Sequence, residues 1–465
     1  MELKRPLHLL TKRSIRSRLT AVALSGALVT GLAYVATPVS QAAVRPAAAA
    51  GETPVTLTWQ MWTGSPAEVA AWDHDTSIVH SMFPWITVKL TINPPWGGYW
   101  TKFPVEISSN TEPDLVSVQS LRTTGFQGGF MPVTTSELTS DGIPGFSLMD
   151  YDQGILNGLK STSGQQLALP YDFGPLMVFY NKTVFLKYHI ALPANNWTWA
   201  QFDNDVATIN KDSDGAIYGY ADDPYIDEFL AYATDEGGHY LNSSGALDID
   251  TPQMASLLAQ YVAPVKQGLA PLPPANAPVN GTWAGQQWEA GAAAIYIDGP
   301  WDMINDIAAV KAGIERFQIG IAPLPAGPSG KSVSILAGSG FGISKDLFKN
   351  HSGMSQPELL SDAIKAIEGL TSPQAEQFLS TEGRAFSARP AQQKYWFQTV
   401  AAQGVPNAQA AMGYQLQNSV AYVTTNKWNG TSVSFGSEIV GVMQGSISPM
   451  AALKYVQANQ GAPAT

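Results

Sequence analysis

From residue 55 onward, the chain alternates short apolar runs with segments of helical periodicity. Residues 55–62 are β-branched and aromatic, which predicts a strand that ends at Thr63. Ser65 and Pro66 then predict the start of a helix, because serine accepts a hydrogen bond from a free amide and proline fits the first turn. The pattern therefore begins as strand, turn and helix.

The same alternation continues along the chain. Residues 85–92 and 113–118 predict strands, 93–98 a turn, and 99–109 a helix with a kink or a late start at Pro104. This spacing predicts an α/β fold with a mainly parallel sheet covered by helices. Ligands bind beyond the carboxyl ends of such strands, which makes the following residues candidates by position: Trp62, Thr63, Trp96 and Gln119.

The later pattern is less regular. Residues 167–174 interrupt it, and the predicted elements that follow are strands at 176–180, 289–297 and 317–321 and helices at 201–210, 364–370 and 374–380. The chain has 465 residues, of which 45% are apolar and 14% charged. Single cores stop growing at about 250–300 residues, so two domains are expected.

The N-terminal 42 residues have the layout of a secretory signal: basic residues, an apolar run and a small-residue exit near Ala42. An uncleaved membrane anchor is the alternative, because the run approaches the length of about 18 residues that spans a bilayer. Residues 43–53 predict a flexible leader. The chain contains no cysteine, so the lipid-anchoring cysteine of bacterial lipoproteins is absent too, and we expect a secreted, extracytoplasmic protein.

Composition excludes several functions. Loss of residues 1–42 would take the net charge from −11 to about −16, which repels nucleic acid and anionic membranes. Without cysteine there is no disulfide, thiolate metal site or cysteine nucleophile. The sequence has no G-x-S-x-G or H-E-x-x-H motif. We therefore expect no cofactor, no metal and no catalytic residue.

Several short segments, taken in order, carry a resemblance to a known family. They are 59–62 (WQMW), 113–116 (PDLV), 169–172 (LPYD), 180–182 (YNK), 296–301 (YIDGPW), 322–325 (APLP) and 338–345 (GSGFGISK). Together they resemble the extracellular solute-binding proteins of carbohydrate ABC importers, the maltose-binding-like group. The match covers the chain from Pro54 onward, and its specificity lies in the number and order of the segments.

The resemblance implies a two-lobed, type II periplasmic-binding-protein-like fold with a hinge of three crossings, near 170–174, 336–340 and 384–390. The N-terminal lobe would comprise 54–171 plus 340–386, and the C-terminal lobe 172–339 plus 387–465. Such a monomer would close on a small carbohydrate, an oligosaccharide in our expectation, and then dock on the membrane permease subunits of the importer. Glycines near the second crossing suit a hinge, although a glycine-rich strand entry explains them equally well.

A sugar needs flat aromatic side chains for its C–H face and polar side chains for its hydroxyls. Trp301 is the first candidate, because the family commonly stacks a sugar at that position. Asp298 could bind a hydroxyl, but capping of the helix that begins at Trp301 is favoured. The remaining candidates, each weighed against ordinary packing, a solvated turn or an inter-lobe structural role, are Tyr171, Asp172, Tyr99, Asp222, Asp223, Tyr225, Gly338, Ser339, Arg384 and Arg389.

Two other functions remain open. A secreted glycoside hydrolase would need two carboxylates about 5–9.5 Å apart, and nothing in the spacing of the acidic residues selects such a pair. A binder of a non-sugar ligand such as a polyamine would need a carboxylate-dense cleft, for which the sequence shows no clear sign. Carbohydrate binding without catalysis is the prediction.

Overall fold

The structure is a computed structural model that describes residues 52–280 and 282–460. The predicted signal segment and nearly all of the predicted leader lie outside these residues. Within them the strands are β1 (Val55–Thr63), β2 (Ile86–Pro95), β3 (Leu115–Gln119), β4 (Ala168–Pro175), β5 (Met177–Asn181), β6 (Ile295–Asp298), β7 (Ile319–Ala322), β8 (Ile335–Ile343) and β9 (Val420–Ala421).

Helices surround these strands. The first half of the chain forms α1 (Pro66–Met82), α2 (Trp96–Ser109), α3 (Thr123–Phe126), α4 (Thr135–Ser140), α5 (Gln153–Gly158), α6 (Lys182–Lys187), α7 (Trp199–Asp212) and α8 (Ile226–Asp235). The second half forms α9 (Pro252–Tyr261), α10 (Ala263–Lys266), α11 (Ala277–Asn280), α12 (Trp283–Glu289), α13 (Met303–Lys311), α14 (Leu347–Asn350), α15 (Gln356–Leu370), α16 (Pro373–Thr381), α17 (Gln393–Ala402), α18 (Ala408–Asn418), α19 (Trp428–Gln444) and α20 (Pro449–Ala458). Short 3₁₀ helices lie at Gln127–Gly129, Leu148–Asp150 and Pro300–Asp302. No helix of the described ranges is long and apolar enough to cross a membrane.

The first sheet has the order β2-β1-β3-β8-β4, with β9 beside β8. β1 runs parallel to β2 and β3, as the alternating pattern predicts. β8 runs antiparallel to both β3 and β4. The sheet is therefore mixed, because a strand from late in the chain inserts between strands from its first half.

The second sheet has the order β6-β5-β7, and both of its pairs are antiparallel. The expectation of a mainly parallel sheet is wrong here. Alternating strands and helices leave strand direction open, because the long helical connection between β5 and β6 can return the chain either way along the sheet. The α/β class itself is confirmed.

At the start of the fold, the local sequence signals predict some of the observed elements correctly and others wrongly. The Ser65 hydroxyl accepts a hydrogen bond from the amide of Glu68, and Pro66 is the first residue of α1, as predicted. The predicted turn at 93–98 is wrong, since β2 continues to Pro95 and α2 begins at once. Because α2 begins well before Pro104 and contains it, the predicted late start is also wrong.

An aromatic cluster holds the first sheet together under the ends of its strands. The ring of Trp59 lies edge-on to Trp72 at 5.9 Å and to Phe341 at 4.9 Å between centroids. Tyr171 stacks on Phe341 at 4.5 Å. These side chains are fully buried, so the positions of β1, β4 and β8 relative to one another are set by close packing.

The glycines of β8 serve close packing between strands. A Cβ atom on Gly340 would lie 2.6 Å from the carbonyl oxygen of Leu169, on the neighbouring strand β4. Gly338 likewise faces the backbone of Asp172. Neither has a positive φ, so the structure supports the strand interpretation of these glycines by showing why a side chain would not fit.

The three segments predicted to cross between lobes lie side by side. Phe173 on β4 pairs with Gly338 on β8. Asp172 forms an isolated antiparallel bridge with Ser387, which follows α16. The lobe boundaries drawn through these segments remain a prediction, and their adjacency is what such a hinge would require.

Candidate functional site

A cavity of about 320 Å³ lies where the carboxyl ends of β1 and β3 face residues that follow β6. Trp62 and Gln119 come from the first sheet, and Asp298 ends β6 in the second. Trp96, at the first position of α2, also lines it. The cavity therefore occupies the place that strand direction predicted for a ligand.

One side of the cavity, which we term the paired wall, consists of Glu68, Asp172 and Arg384. The Nε atom of Arg384 lies 3.0 Å from Oε1 of Glu68, and its Nη1 atom lies 3.3 Å from Oδ2 of Asp172. The other carboxylate oxygen of Asp172 accepts a hydrogen bond of 2.9 Å from the amide of Ser339. Burial raises the pKa of Asp172 to about 6, although Arg384 opposes that rise.

The elements that supply the paired wall are far apart in sequence. Glu68 is in the first turn of α1, Asp172 is on β4, and Arg384 follows α16. The guanidinium also lies over the ring of Trp72, 4.8 Å from its centroid. Arg384 thus joins three segments and is itself buried, so its geometry is set before any ligand arrives.

A second part of the lining, which we term the acidic wall, consists of Asp223, Glu228, Glu289, Asp298 and Asp302. Asp227 also lines the cavity, but the charge of Arg122 opposes the rise of its pKa on burial, so we do not count it in this wall. The hydroxyl of Tyr296 lies between two of them, 2.6 Å from Oδ2 of Asp298 and 3.2 Å from Oδ2 of Asp223. A tyrosine has one hydroxyl proton to donate, so it cannot satisfy both carboxylates at once.

Burial dominates the electrostatics of the acidic wall. It raises the pKa of Asp298 to about 6, against hydrogen bonds from Tyr296, from the amide of Gly299 and from the Trp301 side chain. Burial, reinforced by the charge of Asp298, raises the pKa of Asp302 and of Asp223 well above the usual range. Among the described residues that line the cavity, Arg384 is the only cation, and it belongs to the paired wall.

Aromatic side chains complete the cavity. Trp301 is partly exposed, and its ring lies so close to Gly299 that a Cβ atom there would collide with it. The rings of Trp96 and Tyr225 lie 4.7 Å apart between centroids. Trp62 packs edge-on against Tyr99 and lines the cavity from β1. Flat apolar faces therefore stand beside carboxyl groups, the combination that suits a polyhydroxylated ring.

Most of the residues singled out from sequence line this cavity. They are Trp62, Trp96, Gln119, Asp172, Asp223, Tyr225, Asp298, Trp301, Gly338, Ser339 and Arg384. Whether each contacts a ligand remains a prediction, and what the structure adds is their common location.

The structure places two first-sheet candidates away from the cavity. Thr63 ends β1 and pairs with Pro95, and it does not line the cavity because successive side chains of a strand point to opposite faces. Tyr99 is fully buried, and its hydroxyl donates a hydrogen bond of 2.7 Å to the carbonyl of Ser117. Its role is packing beneath Trp62.

Three further candidates also lie elsewhere. Tyr171 is fully buried in the aromatic cluster under the cavity. Asp222 is fully buried and accepts hydrogen bonds from the hydroxyls of Tyr220 and Tyr261, so its carboxylate is held within the packing. Arg389 donates 2.7 Å hydrogen bonds to the Thr371 carbonyl and the Tyr151 hydroxyl, a structural role.

The favoured role of Asp298 as a helix cap is wrong. Gly299 occupies the cap position of the 3₁₀ helix Pro300–Asp302, and no side chain caps that helix. The Asp298 carboxylate accepts from the adjacent amide of Gly299 at 2.7 Å and from Tyr296. Its other neighbours are the cavity and Trp301, which fits the alternative role of contacting a hydroxyl.

Sequence reasoning missed Glu68, Glu228, Glu289, Tyr296 and Asp302, all of which line the cavity. Glu68 could have been predicted from the sequence, because it lies in the first turn of a helix that follows a strand end. Asp302 immediately follows Trp301 in a turn already singled out. Glu228 and Glu289 carry no local signal, since each is one acidic residue on a helix.

The fold and the site define a two-lobed α/β protein with a cavity between its sheets that is lined by aromatic and carboxyl groups. The family of bacterial extracellular solute-binding proteins matches residues 82–377, which is more than half of the chain. The chain therefore belongs to that family. A search of the curated proteins finds no match.

Solved structures share the fold at low sequence identity. An ABC substrate-binding protein from Listeria monocytogenes in complex with cycloalternan is 18% identical, with a TM-score of 0.73, covering 87% of this chain and 98% of that one. The maltose-bound MalE3 protein of T. maritima is 19% identical, with a TM-score of 0.71 and the same coverage. The GacH receptor of Streptomyces glaucescens is 20% identical, with a TM-score of 0.69, covering 88% and 97%.

Proposed function

We propose that this protein captures a carbohydrate, an oligosaccharide in our expectation, in the cavity between its two sheets and delivers it to an ABC importer. The observation that carries the proposal is the lining itself, in which Trp62, Trp96, Tyr225 and Trp301 stand among carboxyl and amide groups. The similar solved structures agree with it, since they include complexes with cycloalternan, maltose and acarbose.

Capture would work through closure of the lobes. A ligand that contacts both the paired wall and Trp301 does so only when the cavity is shut, so it favours the closed state by its differential affinity. Micromolar binding corresponds to about −8 kcal/mol, which stacked aromatics and charge-assisted hydrogen bonds can supply. Small-angle scattering should show a smaller radius of gyration with ligand. An unchanged radius would contradict closure.

The cellular setting follows from the family and from the N-terminal pattern. We propose that the protein is exported by means of the signal segment 1–42 and acts outside the cytoplasm as a monomer. Its partners are the sugar and the membrane permease subunits, and its acidity disfavours nucleic acid. The signal segment rests on the sequence pattern alone.

Binding without catalysis can be tested directly. The mature protein is screened by thermal shift against mono- and oligosaccharides, and the products are followed by chromatography over the same period. We expect a raised melting temperature and an intact ligand. Turnover of the sugar would replace this function by glycoside hydrolysis, for which the cavity offers several carboxyl groups.

Trp301→Ala tests the main aromatic contact. Loss of a stacked indole should weaken sugar binding by about tenfold to a hundredfold, measured by isothermal titration calorimetry, with little effect on the melting temperature. Trp85→Ala is the matched control, because Trp85 is also partly buried and bonds to Asp362 but does not line the cavity. Unchanged affinity in Trp301→Ala would remove this residue from the site.

A further inference from the structure

The acidic wall points to the chemical class of the ligand. We propose that the captured carbohydrate is an amino sugar or an amino-oligosaccharide whose ammonium group binds at the acidic wall. This inference rests on the proposed function, since it specifies which carbohydrates the same cavity takes. It begins from the carboxyl groups that the protein leaves without partners.

Carboxylate oxygens of Asp302 and of Glu228, both in the acidic wall, are buried and have no hydrogen-bond partner among the described residues. Asp302 is 6% exposed and Glu228 is 8% exposed, and both side chains line the cavity. Within the described part of the chain, Oδ2 of Asp302 and Oε2 of Glu228 have no hydrogen-bond partner. Buried polar atoms are normally satisfied, and an unpaired buried charge is costly. These oxygens are therefore available to a ligand that donates hydrogen bonds.

Among the described residues, the two guanidinium groups at or beside the cavity already have partners outside the acidic wall. Arg384 is held between Glu68 and Asp172. Arg122 lies behind Trp96 and donates to Gln119, Asn429 and Ser432. Arg122 also interacts electrostatically with Asp227 and Tyr422. Neither guanidinium neutralises the acidic wall, so that wall presents an excess of carboxyl groups to whatever enters.

Protons or a cationic ligand can balance this excess. Burial and mutual repulsion raise the pKa of Glu228 and of Asp302 well above the usual range, which favours bound protons while the cavity holds only water. A ligand ammonium group takes the place of those protons and donates up to three hydrogen bonds to carboxylates, which are stronger than neutral ones. A neutral sugar cannot form these charge-assisted hydrogen bonds.

The rest of the cavity favours an aminated sugar over a flexible polyamine. Trp301, Trp96 and Tyr225 offer flat faces for a ring, and Asn305 and Gln286 offer amides for hydroxyls. A polyamine would use the carboxylates and leave these amides unmatched. Both ligands share the ammonium chemistry, so the experiment includes each.

The test compares matched ligands by isothermal titration calorimetry near pH 7. Glucosamine, galactosamine and the β-1,4-linked glucosamine dimer and tetramer are each paired with their N-acetylated and hydroxyl counterparts, and spermidine is added as a separate arm. We expect at least one amine to bind about tenfold or more tightly than its neutral partners. Equal or tighter binding of every neutral partner would overturn this inference while leaving carbohydrate capture intact. Binding of spermidine with no sugar would overturn this inference and indicate a polyamine ligand. No binding of any ligand in this panel would also overturn the inference, and the thermal-shift screen of other sugars then decides on carbohydrate capture.

Variants then locate the ammonium site. Asp302→Asn keeps the shape of the side chain and removes its charge, so the preference for the amine should fall about tenfold. Glu228→Gln should act in the same direction and guards against a folding defect in the first variant. The matched control is Asp235→Asn, because Asp235 is a buried carboxyl group bonded to Trp199 and Val333 that does not line the cavity. A preference retained in both wall variants would contradict the proposed site.

Discussion

The two walls of the cavity use carboxyl groups in opposite ways. On the paired wall, Glu68 and Asp172 share the guanidinium of Arg384. On the acidic wall, Asp223 and Asp298 share one tyrosine hydroxyl, and Asp302 has an oxygen with no partner in the described residues. Each carboxylate of the paired wall has a cationic partner within the protein, whereas the acidic wall depends on protons or on a ligand.

This difference separates two tasks. A buried ion pair is costly to break, because removal of one partner strands the other, so the paired wall suits a fixed point that joins α1, β4 and the segment after α16. The acidic wall stores an unfavourable interaction that a suitable ligand relieves. Stability and ligand selection are therefore assigned to different walls of the same cavity.

The largest expected effect comes from breaking the paired wall. Arg384→Met leaves the carboxylates of Glu68 and Asp172 buried without a cation, and should lower the free energy of unfolding by about 3–5 kcal/mol, measured by urea denaturation. The control combines Arg384→Met with Glu68→Gln and Asp172→Asn, which should recover most of the loss. A loss below about 1 kcal/mol in the single variant would show that the wall is not a fixed point.

The next effect is the pH dependence of stability. The pKa of Asp298 rises from 3.8 to about 6 on burial, so the folded protein binds the proton more tightly than the unfolded chain. Its contribution, at most about 3 kcal/mol, is complete below about pH 4 and disappears as the pH rises through about 6. Melting temperature should therefore fall between pH 5 and pH 8.

Other buried carboxyl groups act in the same direction, since burial raises the pKa of Asp235 to about 7 and that of Glu368 to about 8. The comparison with Asp298→Asn isolates one group. This variant should lose less stability between pH 5 and pH 8 than the parent protein does. Identical pH profiles would show that Asp298 does not change its proton affinity on folding.

The smallest effect concerns the hydroxyl that joins two members of the acidic wall. Tyr296→Phe removes the one hydroxyl proton that Asp298 and Asp223 share, and should cost about 1 kcal/mol of unfolding free energy, because Asp298 keeps its bond to the amide of Gly299. Tyr455→Phe, at a side chain that is 47% exposed, is the control. If both variants lose equal stability, the hydroxyl of Tyr296 contributes nothing specific.

Sequence reasoning recovered the elements that depend on neighbouring residues. The cap at Ser65 and the strand at 55–62 are examples, because each is specified by a few adjacent side chains. Trp301 and Asp223, predicted as turn residues after strands and, for Trp301, from the family resemblance, both line the cavity. The predicted strand directions were wrong where the connection between two strands is long, as in the second sheet.

Site residues on helices were the harder case. A single Glu on a helix, such as Glu228, has the same local pattern whether it faces solvent or a cavity. Tyr171 illustrates the opposite error, since it lies in a segment predicted to cross between the lobes but turns inward to stack on Phe341. Orientation of one side chain depends on partners that are distant in the chain.

The sequence by itself determined the α/β class and, through its family motifs, the two-lobed architecture. It also contained the aromatic residues predicted for the site. These properties arise from periodicity and from short motifs, which are local. Only the tertiary structure decided which carboxyl groups are paired. Arg384 meets Glu68 and Asp172 across the fold, while Oδ2 of Asp302 is buried with no hydrogen-bond partner among the described residues. Charge balance is a property of neighbours in space, and electrostatic energy depends on distances that sequence separation does not encode.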